Sequence, residues 1–141
     1  MIKLINNNKE GIELLSIFLE NAGASLKTFR YFKLRPLKVI GNHFATILIL
    51  NDNALPVAYG HLDPENEKMW LGICVAEYEM GKGYGNEMMK LLVLHAKQLG
   101  IKELFLKVDS DNTRAISMYR KFFFEITTEV SNNFLIMKRS V

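Results

Sequence analysis

The sequence has few residues that could form disulfides or bind metals, and it has no apolar run long enough to cross a membrane. Cys74 is the one cysteine among 141 residues, so no internal disulfide can form, which favours a reducing, cytoplasmic compartment. The three histidines are scattered and Cys74 has no neighbours at ligand spacing, so no metal is expected. No apolar run approaches the ~18 residues of a spanning helix, and the N-terminus lacks a signal peptide's apolar core. We therefore expect no membrane association.

The net charge is also small, at +3, and 49% of the residues are apolar. This composition is typical of a globular protein, and the length fits a single domain over residues 1–141. Residues 27–38 are locally basic, with aromatic residues in between, a pattern that nucleic-acid-binding proteins also use. An anionic small molecule would use the same charges. We expect the small molecule and no nucleic acid.

The hydrophobic pattern predicts a mixed α/β (α+β) fold. Apolar stripes at helical spacing indicate helices over residues 9–22 and 86–99 and after Asn112, with Gly100 ending the second. Residues 25–36 are predicted to be a further helix or a structured loop ending before Pro36. Because the strands come first as a meander and later singly, we expect one largely antiparallel central sheet flanked by helices. The predicted strands cover residues 2–5, 44–50, 55–62, 69–75, 101–108, 124–130 and 134–137.

The most informative segment is a glycine-spaced turn between an apolar strand and a helix. Gly81, Gly83 and Gly85 alternate with Lys82 and Tyr84, so the backbone N–H groups can approach a bulky anion. The positive end of the following helix dipole favours the same ligand. The spacing matches neither the dinucleotide fingerprint nor the P-loop. The turn therefore predicts a phosphate site of another kind.

A second motif lies about thirty residues downstream, in the segment Asp-Ser-Asp-Asn-Thr-Arg-Ala-Ile-Ser-Met-Tyr-Arg-Lys-Phe-Phe-Phe that runs from Asp109 to Phe124. With residues 80–85, it resembles the two signatures of GNAT-family N-acetyltransferases, which transfer an acetyl group from acetyl-CoA to an amine. The loop signature is Arg/Gln-x-x-Gly-x-Gly/Ala, and the downstream signature is Asn-x-x-Ala-x-x-x-Tyr-x-Lys-x-Gly-Phe. The resemblance departs at Met80, where Arg or Gln is usual, and at Phe123, where Gly is usual. The downstream matches are Asn112, Ala115, Tyr119, Lys121 and Phe124.

The resemblance implies where acetyl-CoA would bind. In this fold the strands at residues 70–75 and 101–108 start parallel and then splay, and the thioester arm lies in the gap. The strand main chain pairs with the pantetheine, and the glycine turn holds the pyrophosphate. No metal is implied. The implied cofactor-binding residues are Ile73, Val75, Met80, Gly81, Lys82, Gly83, Tyr84, Gly85, Asn112 and Tyr119.

The resemblance also implies catalytic roles. Tyr119 corresponds to the tyrosine that protonates the leaving thiolate, although its position equally fits the apolar stripe of its helix. The family has no fixed general base. His61 is the candidate, since its ordinary pKa is near neutrality and it lies in the strand beside the cofactor strand. Tyr59, Asp63 and Glu77 are alternatives, and a structural role for His61 stays open.

The acceptor amine is the least determined part. Aromatic residues 29–32 with Arg35 suggest a pocket of rings and cations, which would suit a nucleotide-linked amino sugar. A protein or peptide amine is the alternative acceptor, and a non-catalytic acyl-CoA-binding module is the alternative class. The C-terminal strand, with Phe134, Leu135 and Ile136, offers an edge for a homodimer.

Overall fold

The computed structural model describes the backbone of residues 1–141 and every side chain except those of residues 129 and 130. Within that description, seven strands and three α-helices follow one another in the order that the hydrophobic pattern predicts. The elements are β1 (Ile2–Leu4), α1 (Lys9–Asn21), β2 (Ala45–Leu50), β3 (Pro56–Glu65), β4 (Lys68–Val75), α2 (Tyr84–Gln98), β5 (Glu103–Asp109), α3 (Thr113–Lys121), β6 (Glu125–Val130) and β7 (Phe134–Ser140).

Polar caps and a glycine fix the helix ends. The Asn8 side chain accepts a hydrogen bond from the Gly11 N–H at 2.8 Å and begins α1. Asn112 begins α3 in the same way, accepting from the Ala115 N–H at 3.3 Å. Gly100 follows α2 with φ +74, the left-handed geometry that ends helices. The predicted cap at Asn112 and stop at Gly100 are therefore confirmed.

The strands form one sheet in the order β1-β2-β3-β4-β5-β7-β6. Every neighbouring pair is antiparallel except β4 and β5, which run parallel. Among the described residues these two strands share one bridging pair, Trp70 opposite Phe105, near their N-terminal ends. They therefore separate toward their C-terminal ends. The predicted mixed, largely antiparallel sheet flanked by helices is confirmed.

Two apolar clusters cover the two faces of the sheet. Alternation along β3 directs Ala58 and Leu62 into the cluster under α2 and α3, and Tyr59 into the cluster under α1. Fully burying a side chain of the size of Leu92 stabilises the fold by roughly 1.5–3 kcal/mol. α2 can lie this close because Gly60 has no side chain; a Cβ there would lie 2.5 Å from the Met88 sulfur.

Some connections differ from the predictions. β3 continues to Glu65, past its predicted end at residue 62, and only Asn66 and Glu67, which adopt φ 54 and 64, connect it to β4. Pro64 is tolerated because the register of β3 with β2 ends at Leu62, so its missing N–H breaks no ladder bond.

Residues 25–36 begin within a 3₁₀ turn at Gly23–Lys27 and continue as a structured loop. A second 3₁₀ turn, at Leu37–Asn42, was not predicted. None of the helices in the described chain combines the length and apolarity needed to cross a bilayer.

Candidate active-site cleft

The gap between β4 and β5 opens into a cleft of about 590 Å³. Its walls come from the end of β4, the glycine turn, the first turn of α2 and one face of α3. Residues 25–29 close the remaining side. In the described chain, every predicted cofactor-binding residue lines this cleft except Lys82. A larger, shallower cavity of about 730 Å³ lies at the other end of these strands, far from both motifs.

The backbone of β4 presents polar groups to the cleft. The Ala76 N–H donates to the Val57 carbonyl of β3 at 2.9 Å. Because successive residues of a strand turn their N–H and C=O groups to opposite edges, Ile73 and Val75 turn theirs toward the gap. The Val75 carbonyl accepts a hydrogen bond from the Ser25 hydroxyl at 2.6 Å, whereas the Val75 N–H remains directed into the gap. This edge can therefore pair with an amide-containing ligand.

The glycine turn makes an open anion site. Gly81 and Gly83 adopt φ 84 and 90, which L side chains rarely accept. Gly83 is the N-cap of α2 and has no side chain, so no capping side chain accepts a hydrogen bond from the first N–H groups of the helix. A Cβ on Gly83 would meet no described atom within 4 Å, so the space above the turn is free. Uncapped N–H groups and the positive end of the α2 dipole together favour a phosphate there.

The side chains of Lys82 and Met80, in and beside this turn, both contact other side chains. Lys82 donates to the Glu79 carboxylate at 2.8 Å and stays outside the cleft. Met80 is 46% exposed, and its sulfur lies 3.9 Å from the Ser25 hydroxyl. The turn therefore offers an anion its backbone N–H groups rather than these side chains.

Helix α3 packs directly on the start of α2. A Cβ on Gly85 would lie 3.2 Å from the Met118 sulfur, so the two helices touch at this glycine. One turn earlier on α3, the Arg114 Nη2 lies 3.9 Å from the Cβ position of Gly81. Arg114 lines the cleft, although it was not predicted as a site residue. Its proximity to the turn depends on how α3 packs, which no local pattern reveals.

Tyr119 lies deeper in the same cleft. It is 9% exposed, and its ring meets Phe124 edge-on at 6.1 Å between centroids. Burial, with a smaller effect from Cys74, raises the pKa of the Tyr119 phenol to about 12. The phenol therefore stays protonated at neutral pH and can donate a proton. Burial also raises the pKa of the Cys74 thiol to about 12, which makes it a poor nucleophile.

His61 is 3% exposed and lies on the other side of β4 from α3. Its Nδ1 is hydrogen-bonded to the Tyr59 hydroxyl at 2.7 Å, and its Cε1 and Nε2 lie 2.5 Å from the Cβ position of Gly72. Nε2 has no hydrogen-bond partner among the described residues. Since no buried side-chain nitrogen or oxygen there lacks a partner, this nitrogen must reach accessible space. Burial, with added effects from His43 and Arg35, keeps the pKa of His61 well below its ordinary value, so its imidazole is neutral.

A polar network lies beside His61. The Tyr31 hydroxyl donates to the Asp63 carboxylate at 2.7 Å and lies 2.8 Å from His43 Nε2. His43 Nδ1 is 2.9 Å from the Thr46 hydroxyl. Burial lowers the pKa of His43 and raises that of Tyr31, and Asp63 raises the pKa of Tyr31 further. Asp63 is thus already engaged as an acceptor.

The aromatic segment packs inward. Phe29 lines the cleft and also packs on Tyr59 with centroids 5.4 Å apart. Arg30 makes a bidentate ion pair with Asp109 at 2.7 and 3.1 Å, and Arg35 lies over the Tyr31 ring at 4.3 Å. Of this segment, Phe29 thus adds a ring to the cleft, whereas Arg30 and Arg35 are engaged by Asp109 and by the Tyr31 ring.

The described residues contain no group of three or more His, Cys, Asp or Glu side chains that could hold a metal ion. The cleft instead fits an extended ligand with amides and phosphate. The free edge of β4, the open glycine turn and the buried Tyr119 all line it.

A family model described as the acetyltransferase (GNAT) family matches residues 12–124, which is most of the chain. The spermine/spermidine N(1)-acetyltransferase of Bacillus subtilis (strain 168) is 33% identical over 73 residues, covering 50% of this chain and 48% of that protein. The chain thus spans about half the length of this relative.

Solved structures share the fold at low identity. A ribosomal-protein-alanine N-acetyltransferase from Brucella melitensis superposes with a TM-score of 0.74 at 16% identity, covering 100% of this chain and 99% of that chain. A GNAT superfamily phosphinothricin acetyltransferase from Sinorhizobium meliloti, in complex with AcCoA, gives a TM-score of 0.75 at 16% identity, covering 100% and 88%.

Proposed function

The chain belongs to the GNAT acetyltransferase family, and we propose that its cleft binds acetyl-CoA and transfers the acetyl group to a primary amine. One observation carries this proposal. The free edge of β4, the uncapped glycine turn and the buried Tyr119 phenol lie along one cleft between two diverging strands.

We assign the binding contacts by the chemistry of each wall. The backbone groups of Ile73 pair with the pantetheine amides, and the Val75 N–H, at the end of the same strand, faces the thioester. The turn at residues 81–85, with Tyr84 at the first position of α2, holds the pyrophosphate through backbone N–H groups. Asn112 lines the cleft while its side chain caps α3, so it contacts the coenzyme beside that helix start. Bound acetyl-CoA supplies an activated thioester.

The chain's own groups then promote transfer to the amine. The amine nitrogen forms a bond to the acetyl carbon, and the carbon–sulfur bond breaks. The Val75 N–H donates to the carbonyl oxygen as negative charge develops there. Tyr119, whose phenol is protonated at neutral pH, gives its proton to the departing sulfur, and the phenolate then takes the remaining proton of the acylated nitrogen. Holding the reactants together in the cleft supplies a further part of the rate.

We propose that His61 takes the ammonium proton through water. Its imidazole is neutral, and its Nε2 lies against Gly72 on the cofactor strand, reaching accessible space there. Since His61 does not line the cleft in the described chain, at least one water must connect it to the amine. The His61→Gln variant should lose turnover while its Kd for CoA stays unchanged; wild-type turnover would refute this role.

We propose that the acceptor is a small molecule. The sequence favoured a nucleotide-linked amino sugar, but the arginines that would bind its phosphates, Arg30 and Arg35, already have partners. The names of the similar proteins add two acceptor classes: polyamines and the alanine N-terminus of a protein. The three acceptor classes should be compared in one assay.

The test mixes purified protein with acetyl-CoA and each amine and measures free thiol. An amine-dependent release of thiol above the acetyl-CoA blank is expected for a small-molecule amine. Release with a peptide alone would move the acceptor to the protein class. Tight CoA binding with no amine-stimulated release would indicate a non-catalytic acyl-CoA-binding module.

Tyr119→Phe separates the general acid from binding. This variant should lose about 10²–10⁴-fold in kcat, the typical share of acid catalysis, while its Kd for CoA changes little. Tyr78→Phe is the matched control, because Tyr78 is exposed and outside the cleft in the described chain. Equal turnover in the two variants would exclude Tyr119 as the acid.

A further inference from the structure

Arg114 has a position that the fold alone does not explain. It is the second residue of α3, and its guanidinium lies over the glycine turn, with Nη2 3.9 Å from the Cβ position of Gly81. It lines the cleft, and it forms no ion pair with any described carboxylate. The group is therefore a free cation at the anion site.

Helix stability does not account for this cation. The first turn of a helix favours negative side chains, because its N–H groups carry partial positive charge. α3 has no acidic residue in its first turn and has Arg114 there instead. A positive charge at this end works against the helix dipole unless an anion lies between them.

The glycine turn lacks a free cation of its own. Lys82 is held by Glu79 at 2.8 Å, and Met80 is apolar with its sulfur beside Ser25. Lys121 also lines the cleft, but it lies seven residues along α3, about 10 Å away along the helix axis. Of the two cations that line the cleft among the described residues, Arg114 is thus the one at the start of α3, beside the turn.

We infer that Arg114 binds the diphosphate of acetyl-CoA from the side opposite the glycine turn. The N–H groups of residues 83–85 hold one side of the diphosphate, and the planar guanidinium donates to the other. The contact between Gly85 and Met118 holds α3 against the start of α2. Arg114, one helical turn before Met118, therefore lies near Gly81. Arg114 thereby provides the side-chain charge that Met80 does not. This inference rests on the proposed function, since it requires that the cleft bind the coenzyme.

The experiment compares three ligands that differ in their phosphates: CoA, dephospho-CoA, which keeps the diphosphate, and pantetheine, which has none. Binding to the full chain is measured by calorimetry for the first two and by ligand-observed NMR for pantetheine. The variants are Arg114→Ala and Arg114→Lys, with Arg120→Ala as the matched control. Arg120 is also an exposed arginine of α3, but it does not line the cleft in the described chain.

We expect Arg114→Ala to weaken CoA and dephospho-CoA about tenfold each, with pantetheine unchanged. The slope of log K against log salt should become shallower for the two diphosphate ligands, as one fewer charge pair is made. Arg114→Lys should lie between wild type and Arg114→Ala, because an ammonium keeps the charge and loses the planar fork. Arg120→Ala should match wild type throughout.

Three outcomes would overturn the inference while leaving the proposed function intact: CoA binding unaffected by Arg114→Ala, a loss with CoA that disappears with dephospho-CoA, or an equal loss with pantetheine. The second would assign Arg114 to the 3′-phosphate, and the third to the shape of the cleft. Wild-type protein that binds none of the three ligands would overturn the proposed function itself.

Discussion

Acidification should destabilise this protein through its buried histidines. His61 lies in a ring cluster at 3% exposure and stays neutral, since burial holds its pKa well below 6.5. Unfolding exposes His61 to water, where it binds a proton at its ordinary pKa. Below about pH 6.5 the unfolded state therefore binds more protons than the folded state, and stability falls as the pH falls. Above that pH the contribution of neutral His61 is fully present.

The magnitude follows from linkage. Between about pH 7.5 and pH 5.5, one histidine that stays neutral when folded lowers the free energy of unfolding by about 1.4 kcal/mol. His43, whose pKa burial also lowers, adds a smaller share because Asp63 opposes the shift. The total loss should thus lie between about 1.4 and 2.7 kcal/mol.

Urea unfolding at the two pH values measures this loss. The His61→Gln variant should have a smaller pH dependence than wild type by about 1.4 kcal/mol, whatever its stability at neutral pH. An unchanged pH dependence in His61→Gln would refute the account of a buried neutral imidazole.

Three other variants test the packing. Gly72→Ala should cost about 1–3 kcal/mol in urea unfolding, because the new Cβ would lie 2.5 Å from the enclosed His61 ring; wild-type stability would contradict this packing. Phe123→Gly should raise stability by up to about 1 kcal/mol, because Phe123 is 76% exposed at φ 69, whereas Phe123→Ala keeps the left-handed strain and should give no gain in thermal unfolding. Arg30→Ala should cost about 0.5–1 kcal/mol at neutral pH, since both partners of its ion pair are partly exposed. Arg30 holds the pKa of Asp109 below its ordinary value, so this cost should disappear as the pH falls below about 4; a cost that persists there would mean that Arg30 acts by packing.

The sequence was most informative where the signal is local. The glycine turn and the Asn112 cap could be predicted because backbone geometry and a capping side chain act within a few residues. Arg114 was missed because its contact with Gly81 exists only after α3 packs on α2.

The aromatic segment shows the same limit. Its composition suggested a ligand pocket, but rings and arginines suit a packed core equally well. Only the partners, such as Asp109 for Arg30, decide between the two. The extension of β3 past Pro64 was missed for a similar reason, since its tolerance depends on where β2 ends.

The sheet consists of two parts that a single bridging pair between β4 and β5 joins. One part holds β1 to β4 and the other holds β5 to β7, and one rung of backbone pairing joins them in the described chain. A ligand that pairs with β4 and contacts α3 bridges these two parts of the sheet. It adds hydrogen bonds that the polypeptide does not make there. Filling the cleft should therefore slow amide exchange at Ile73 and Val75 and raise the unfolding temperature, coupling the integrity of the sheet to the supply of coenzyme.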